Sequence, residues 1–227
     1  IRQTEGVQLL DYSSDHDHNR SVITFVGDLG SVQEAAFRLT RQAVELINME
    51  EHQGAHPRIG AVAVIPLIPI EGVTMQECVE AAAALARRIS EELEVPTYLY
   101  GEAVQKPSRR NLSDIRRGQY EGLKEAIAQP ERHPDYGQPK LHPTAGATVV
   151  GARLPLIAFN VNLGTDRKEI ADHIARCVRE RSGGFRNVKA MGVVLEERRQ
   201  VQVSMNLENY RATPTYRVLE TIRREAA

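Results

Sequence analysis

The sequence predicts an α/β (α+β) fold of two ferredoxin-like subdomains, with mixed or antiparallel sheets and helices on one face. Three observations lead there. Apolar runs of strand length alternate with stretches of helical periodicity along the chain. From Leu154 onward the order is β-α-β-β-α, one strand short of the split β-α-β motif of ferredoxin-like domains. Before that point the order reads β-β-α-β, which becomes the same motif if a strand and a helix precede Ile1. Residues 1–153 and 154–227 are therefore expected to form an N-terminal subdomain and a truncated C-terminal one.

Val7 to Asp11 reads as a short apolar strand and Ser21 to Val26 as a β-branched one, with the polar loop Ser13 to Arg20 between them. Ser31 is expected to open a helix, Glu34 completing a capping box, with an apolar stripe from Val32 through Leu39 and Leu46 to Ile47. Ile59 to Ile68 reads as one buried strand. Thr74 and Glu77 cap a helix running to about Leu93, and Pro96 stops it. Thr97 to Tyr100 is another strand. From Gln105 to Gly146 the sequence is polar and rich in Arg, Pro, Gly and His, with one short helical stretch from Asp114 to Ile127. Beyond it, Pro155 to Leu163 is a strand, and Asp166 caps a helix reaching Ser182, where Gly183 and Gly184 end it. Val188 to Leu195 and Val201 to Met205 are strands joined by the charged turn Glu196 to Arg199. Thr213 and Pro214 start a last helix, with proline at the first helical position.

A chain of 227 residues that is 41% hydrophobic and 26% charged has the composition of a soluble globular protein, long enough for one large or two small cores. A formal net charge of -1 gives no basic surface for nucleic acid or anionic lipid. Cys78 and Cys177 have neither metal-type spacing nor a disulfide framework, and a reducing cytoplasm is the expected compartment. The chain starts at Ile1 rather than Met, and Ile1 to Gly6 reads like the frayed end of a helix. It is therefore expected to be trimmed at its ends.

Three segments carry candidate chemistry. In His52 to Ala61, Pro57 forces His56 out of the helical region, placing an imidazole and the Arg58 guanidinium at the mouth of a strand. Such an imidazole suits proton transfer near neutral pH; the alternative is a loop histidine that only packs. Asp15-His16-Asp17-His18 has metal-ligand residue types, but successive side chains alternate in direction, and a solvated acidic turn is the reading preferred. Gly137 to Gly146 is a long, proline-stiffened loop, fitted to bind a flat ligand or to link domains. The pairs Arg109-Arg110 and Arg116-Arg117 read as a solvated helix face, with carboxylate binding the alternative.

Gly54-Ala55-His56-Pro57-Arg58-Ile59-Gly60-Ala61 resembles the G-x-H-P-R-x-G-A signature of glutamate formiminotransferases, including the formiminotransferase part of the bifunctional formiminotransferase-cyclodeaminase. Similar stretches follow in family order: Asn19 to Val22 running into Thr24 to Gly27, then Val95 to Ala103, Pro107 to Arg109, Gly146 to Arg153 and Leu156 to Leu163. The resemblance covers essentially the whole chain. It implies two ferredoxin-like subdomains enclosing a folate, with tetrahydrofolate as co-substrate and N-formimino-L-glutamate as donor. It also implies no metal, no nucleic-acid or membrane partner, and allows a homodimer. The family's catalytic histidine falls on His56. Its folate-binding loop falls on Gly137, Gln138, Pro139, Lys140, Leu141, His142, Pro143, Thr144, Ala145 and Gly146. Arg58 is the residue expected to hold a donor carboxylate, because a guanidinium matches that group bidentately.

Three departures from the family pattern stand out. The opening V-P-N-F-S-E-G segment and a closing strand of V-G-S-x-x-V-G-L type have no counterpart here. Ala63 stands where the family usually has Asp. The alternative this raises is a folate-binding paralogue with another donor, such as a 5-formyl folate, or with no transfer activity.

Overall fold

The computed structural model describes residues 1–16, 19–54, 57–195 and 198–227. It divides into two compact units, Ile1–Arg153 and Leu154–Ala227. They give the mixed α/β fold expected, the first unit with an antiparallel ribbon and a parallel sheet and the second with an antiparallel sheet. Among the described residues, no helix is long and apolar enough to cross a membrane.

The first unit opens with turns over Ile1 to Gly6 rather than the end of a helix. An antiparallel ribbon of β1 (Val7–Asp15) and β2 (Arg20–Gly27) follows. β1 runs past Asp11 to Asp15, through residues read as loop from their polarity. An exposed two-stranded ribbon has no need of apolar side chains there, and the Ser14 and Ser21 hydroxyls bond across it at 2.9 Å. Asp17 and His18 of the acidic turn lie outside the described residues. Helix α1 (Leu29–Leu46) is capped by Asp28, whose carboxylate accepts from the Ser31 amide at 3.0 Å, so Ser31 sits inside the first turn instead of capping it. Its buried face is Ala35, Ala36, Phe37 and Thr40, whereas Leu46 at its end is 79% exposed.

β3 (Val64–Leu67) is much shorter than the strand expected from Ile59 onward. α2 (Met75–Leu93) has the capping box of Thr74 and Glu77, as read from the sequence. Next come β4 (Thr97–Gly101), the short helices α3 (Leu112–Ile115) and α4 (Gln119–Ala126), and β5 (Thr148–Ala152). β5 lies where the sequence suggests no separate strand, yet it is the centre of the sheet, order β3-β5-β4, parallel to both neighbours. Every residue of β5 is buried, which suits its apolar run Thr148-Val149-Val150-Gly151-Ala152. Val150 faces a core with Leu85 and Ile89 of α2. Val149 faces the opposite core, with Ile59, Tyr98, Tyr100 and Leu123.

A buried ion pair fixes the polar segment under that second core. The Arg109 guanidinium meets the Asp135 carboxylate at 2.9 Å, with side chains only 6% and 2% exposed, and donates to the carbonyls of Glu131 and His133. Asp135 also accepts from the Leu99 amide at 2.8 Å, tying the loop to β4. Arg109 is therefore an internal strut, not part of a solvated face.

The second unit contains β6 (Ile157–Leu163), α5 (Lys168–Val178), β7 (Val188–Leu195), β8 (Gln200–Leu207) and α6 (Thr215–Glu225). The sheet order β6-β8-β7, antiparallel throughout, is the arrangement a split β-α-β motif requires. Ile174, Val178, Val203, Met205, Val218 and Ile222 form its core. Arg167 rather than Asp166 precedes α5, without a side-chain cap. The helix stops at Val178 because Arg179 turns extended (φ -81, ψ 141), leaving Glu180–Ser182 as a separate short turn. Pro214 is the cap of α6, one position before the first helical residue. Glu196 and Glu197 of the charged turn lie outside the described residues.

Removing the Asp135 carboxylate leaves Arg109 buried and unpaired. Asp135→Ala is expected to lower the unfolding free energy by about 3–5 kcal/mol in urea titration, while an exposed ion-pair change such as Glu102→Ala costs under about 1 kcal/mol.

Candidate functional site

Two segments far apart in sequence are joined here by their backbones. Ala61 N–H donates to the Ala145 carbonyl at 2.9 Å, and Ala147 N–H to the Ile59 carbonyl at 2.9 Å, with Gly60 paired antiparallel to Gly146. This ladder explains why Ile59 to Ala61 is not part of β3: its hydrogen bonds are spent on the residues before β5. A Cβ on Gly60 would stand 2.1 Å from the Ala147 carbonyl oxygen, so only glycine allows the approach. The ladder thus joins Ile59 to Ala61, the residues just after Arg58, to the end of the Gly137–Gly146 loop. Ala55 and His56 lie outside the described residues, between Gly54 and Pro57.

A third segment joins them. Asn19, between β1 and β2, donates to the Gln53 carbonyl at 2.7 Å, and the His52 ring donates through Nε2 to the Asn19 carbonyl at 2.9 Å. The Met49 amide donates to the Thr144 carbonyl at 2.7 Å. The turn at Asn19, the approach to His56 and the Gly137–Gly146 loop are therefore one hydrogen-bonded assembly.

The loop itself has two halves. Gly137, Gln138, Pro139 and Lys140 are exposed, while Leu141, Ala145 and Gly146 are buried. His142 and Gly146 exchange both backbone hydrogen bonds, closing a tight turn. The Nδ1 atom of His142 accepts from the amides of Thr144 and Ala145 at 3.3 and 3.0 Å, which requires it to be unprotonated. Burial lowers the His142 pKa below 6.5, with Glu94 opposing weakly. Gly146 has φ +69, and a Cβ there would lie 2.4 Å from the Ile59 carbonyl oxygen. Its lack of a side chain therefore serves the protein's own backbone rather than leaving a face for a flat ligand.

Arg58 stands beside this assembly, 13% exposed. Its Nη2 donates to Glu121 of α4 at 2.8 Å, its guanidinium lies 5.8 Å from the Tyr120 ring centroid, and its Nη1 is buried with no partner among the described residues. Tyr120 donates to Glu50 at 2.7 Å, and Lys124 also pairs with Glu50. Burial first, then the Glu50 carboxylate, pushes the Tyr120 hydroxyl up to about 12, so it remains a donor at neutral pH. Glu50, Tyr120 and Glu121 do not stand out in the sequence, since each belongs to an ordinary polar helix or turn.

The arginine pairs separate. Arg110 meets Glu102 at 2.8 Å and Arg117 meets Asp114 at 3.2 Å, both at the surface. Arg116, at the end of α3, is half-buried, with Nε buried and without a partner among the described residues. Burial lowers its pKa, Tyr100 opposing and Arg20 adding to the effect. Ala63 precedes β3, half-buried, and its carbonyl accepts from Val149. Alternation along a strand therefore does not set its direction. On the second unit, atoms of His173, Cys177 and Glu225 lie within 4.8 Å of one another, a grouping invisible in the cysteine spacing because α6 supplies the glutamate.

Comparison with known proteins gives a single picture. The family described as "Formiminotransferase domain, N-terminal subdomain" matches residues 1–153, and "Formiminotransferase domain" matches residues 158–227. The chain is 52% identical to the glutamate formimidoyltransferase of Streptococcus pyogenes serotype M1, over 97% of this chain and 74% of that protein. It is 47% identical to the glutamate formimidoyltransferase of Thermoplasma acidophilum, over 100% of this chain and 75% of that protein. The formimidoyltransferase-cyclodeaminase of Mus musculus is also 47% identical, over 100% of this chain but 43% of its own length.

Because His142 is held neutral in the folded loop, its folded pKa lies below its unfolded one. Its contribution to loop order is full above about pH 6.5 and is lost as pH falls through the depressed value. Amide exchange at Thr144 and Ala145 should accelerate on acidification, and His142→Gln should flatten that dependence. Gly146→Ala, strained at positive φ, is expected to cost at least about 1–3 kcal/mol in urea unfolding.

Proposed function

The chain belongs to the formiminotransferase family, and we propose that it transfers the formimino group of N-formimino-L-glutamate to tetrahydrofolate, giving 5-formiminotetrahydrofolate and glutamate. The observation that carries this reading is the backbone ladder joining Ile59–Ala61 to Ala145–Ala147. It joins Ile59 to Ala61 to the end of the loop that, by the sequence resemblance, would be the family's folate loop.

Tetrahydrofolate binds at the Gly137–Gly146 loop, against its exposed half from Gly137 to Lys140, while the buried half is the base that holds the loop in place. N5 of the folate attacks the formimino carbon, and His56 takes the N5 proton as the new C–N bond forms. The bond from that carbon to the glutamate nitrogen then breaks, and His56 returns the proton to the departing amine. Proton transfer by a placed histidine contributes about 10²–10⁴-fold, so fixing two bound reactants supplies much of the remaining rate. Arg58 holds one carboxylate of the donor through Nη1, its other terminal nitrogen being anchored on Glu121. These steps draw on side chains alone. Small-molecule partners and a cytoplasmic setting fit such a reaction.

His56→Ala should lower turnover by at least about 10²-fold while tetrahydrofolate binding, by titration calorimetry, stays within about threefold. Near-full turnover in the variant would remove His56 from the mechanism. Ala63 motivates one rival reading, a folate binder with another donor or none. Transfer from 5-formyl folate but not from formiminoglutamate, or tight folate binding with no transfer at any pH, would favour it.

A further inference from the structure

The grouping of His173, Cys177 and Glu225 belongs wholly to the second unit and has no step in the reaction proposed above. Two helices build it. His173 and Cys177 are four residues apart on α5, so their side chains share one helix face. α6 packs into the same core through Val218 and Ile222, and Glu225 follows three residues after Ile222 on that side of the helix. The burial of Ile222 therefore brings Glu225 beside Cys177.

The three donor atoms form a nearly equilateral triangle. Cys177 Sγ stands 3.6 Å from His173 Nε2 and 3.6 Å from Glu225 Oε2, and the last two atoms are 3.7 Å apart. A ring N–H bonded to a carboxylate would sit at about 2.7–3.2 Å, so the His173–Glu225 edge is too long for a hydrogen bond. It suits a shared ion better. Zinc bonds of about 2.0–2.1 Å to nitrogen, 2.3 Å to sulfur and 2.0–2.2 Å to oxygen, at tetrahedral angles, fix the spacing of the donors. They give edges of about 3.5–3.7 Å to the sulfur and about 3.3–3.5 Å between nitrogen and oxygen. Both sulfur edges match, and the third is longer by only about 0.2 Å.

Charge and ligand type point the same way. A thiolate and a carboxylate neutralise a divalent cation, and the imidazole adds an uncharged donor. Sulfur and nitrogen donors suit zinc, whereas magnesium and calcium take oxygen ligands. The His173 and Glu225 side chains are 60% and 38% exposed, which leaves a fourth position open to water. Among the described residues no other three such groups come together.

We infer that His173, Cys177 and Glu225 bind a zinc-class divalent cation that fastens the end of α6 to α5. Nε2 and one carboxylate oxygen give the ion a lone pair each, and the Cys177 thiol releases its proton to solvent and binds as thiolate. Water completes the tetrahedron, and no group changes oxidation state.

Equilibrium dialysis of the full chain against zinc chloride tests this, beside His173→Ala, Cys177→Ser and Glu225→Gln. Wild type should take up one more zinc per chain than Cys177→Ser, and magnesium at the same concentration should not displace it. His173→Ala and Glu225→Gln should hold that zinc at least about tenfold more weakly. Both change exposed side chains, so metal-free melting temperatures should match wild type. Cobalt supplies a direct signature: a thiolate-to-cobalt charge-transfer band in wild type that is lost in Cys177→Ser. The Ala226 amide, which closes the last turn of α6 on the Ile222 carbonyl, should exchange more slowly with zinc present in wild type but not in His173→Ala. Equal zinc uptake by wild type and all three variants, a cobalt complex without the thiolate band, or unchanged Ala226 exchange in the zinc-loaded chain overturns the inference.

Discussion

The site depends on one backbone contact, the ladder between Ile59–Ala61 and Ala145–Ala147. It forms only because Gly60 and Gly146 have no side chains: a Cβ on either would sit within 2.4 Å of a carbonyl oxygen across the ladder. From it follow the shortening of β3, the placement of Arg58 over Tyr120, and the fixed base of the Gly137–Gly146 loop. β5 begins directly after the ladder and passes through the centre of the sheet, so the loop is anchored in the most buried strand of the unit. With one half of the loop locked in this way, its other half, Gly137 to Lys140, stays exposed at the surface.

Charge in this region is divided between groups that stabilise and groups left open. Arg109 is satisfied by Asp135 and two carbonyls, and it holds the polar segment together. Arg58 is anchored through Nη2 on Glu121, while its Nη1 and the Nε of Arg116 are buried without a partner among the described residues. A buried donor without a partner lowers stability, and the one on Arg58 is next in sequence to the ladder at Ile59.

Much of this was legible in the sequence, in proportion to how local its cause is. The box of Thr74 and Glu77 depends on residues three apart, and α2 appears where it predicts. The His-Pro-Arg segment and the proline-rich loop stand out for the same reason, as does the antiparallel second unit from its element order. What the sequence hid was set at a distance. Polar β1 residues pair because β2 is there to receive them, and the cap moved from Ser31 to Asp28 because cap geometry is decided by the entering chain. Nothing local separates Arg116 from Arg117. One follows α3 half-buried and the other reaches back to Asp114 at the surface.

The central claim is that the segment around Arg58 and the Gly137–Gly146 loop form a single folate site. Hydrogen exchange of the chain with and without tetrahydrofolate tests it most directly. Added folate should slow exchange together in Arg58 to Ala61 and in Leu141 to Ala147, with the second unit's α6 unchanged. Protection confined to other segments, with both of these exchanging as in the free chain, would contradict the account.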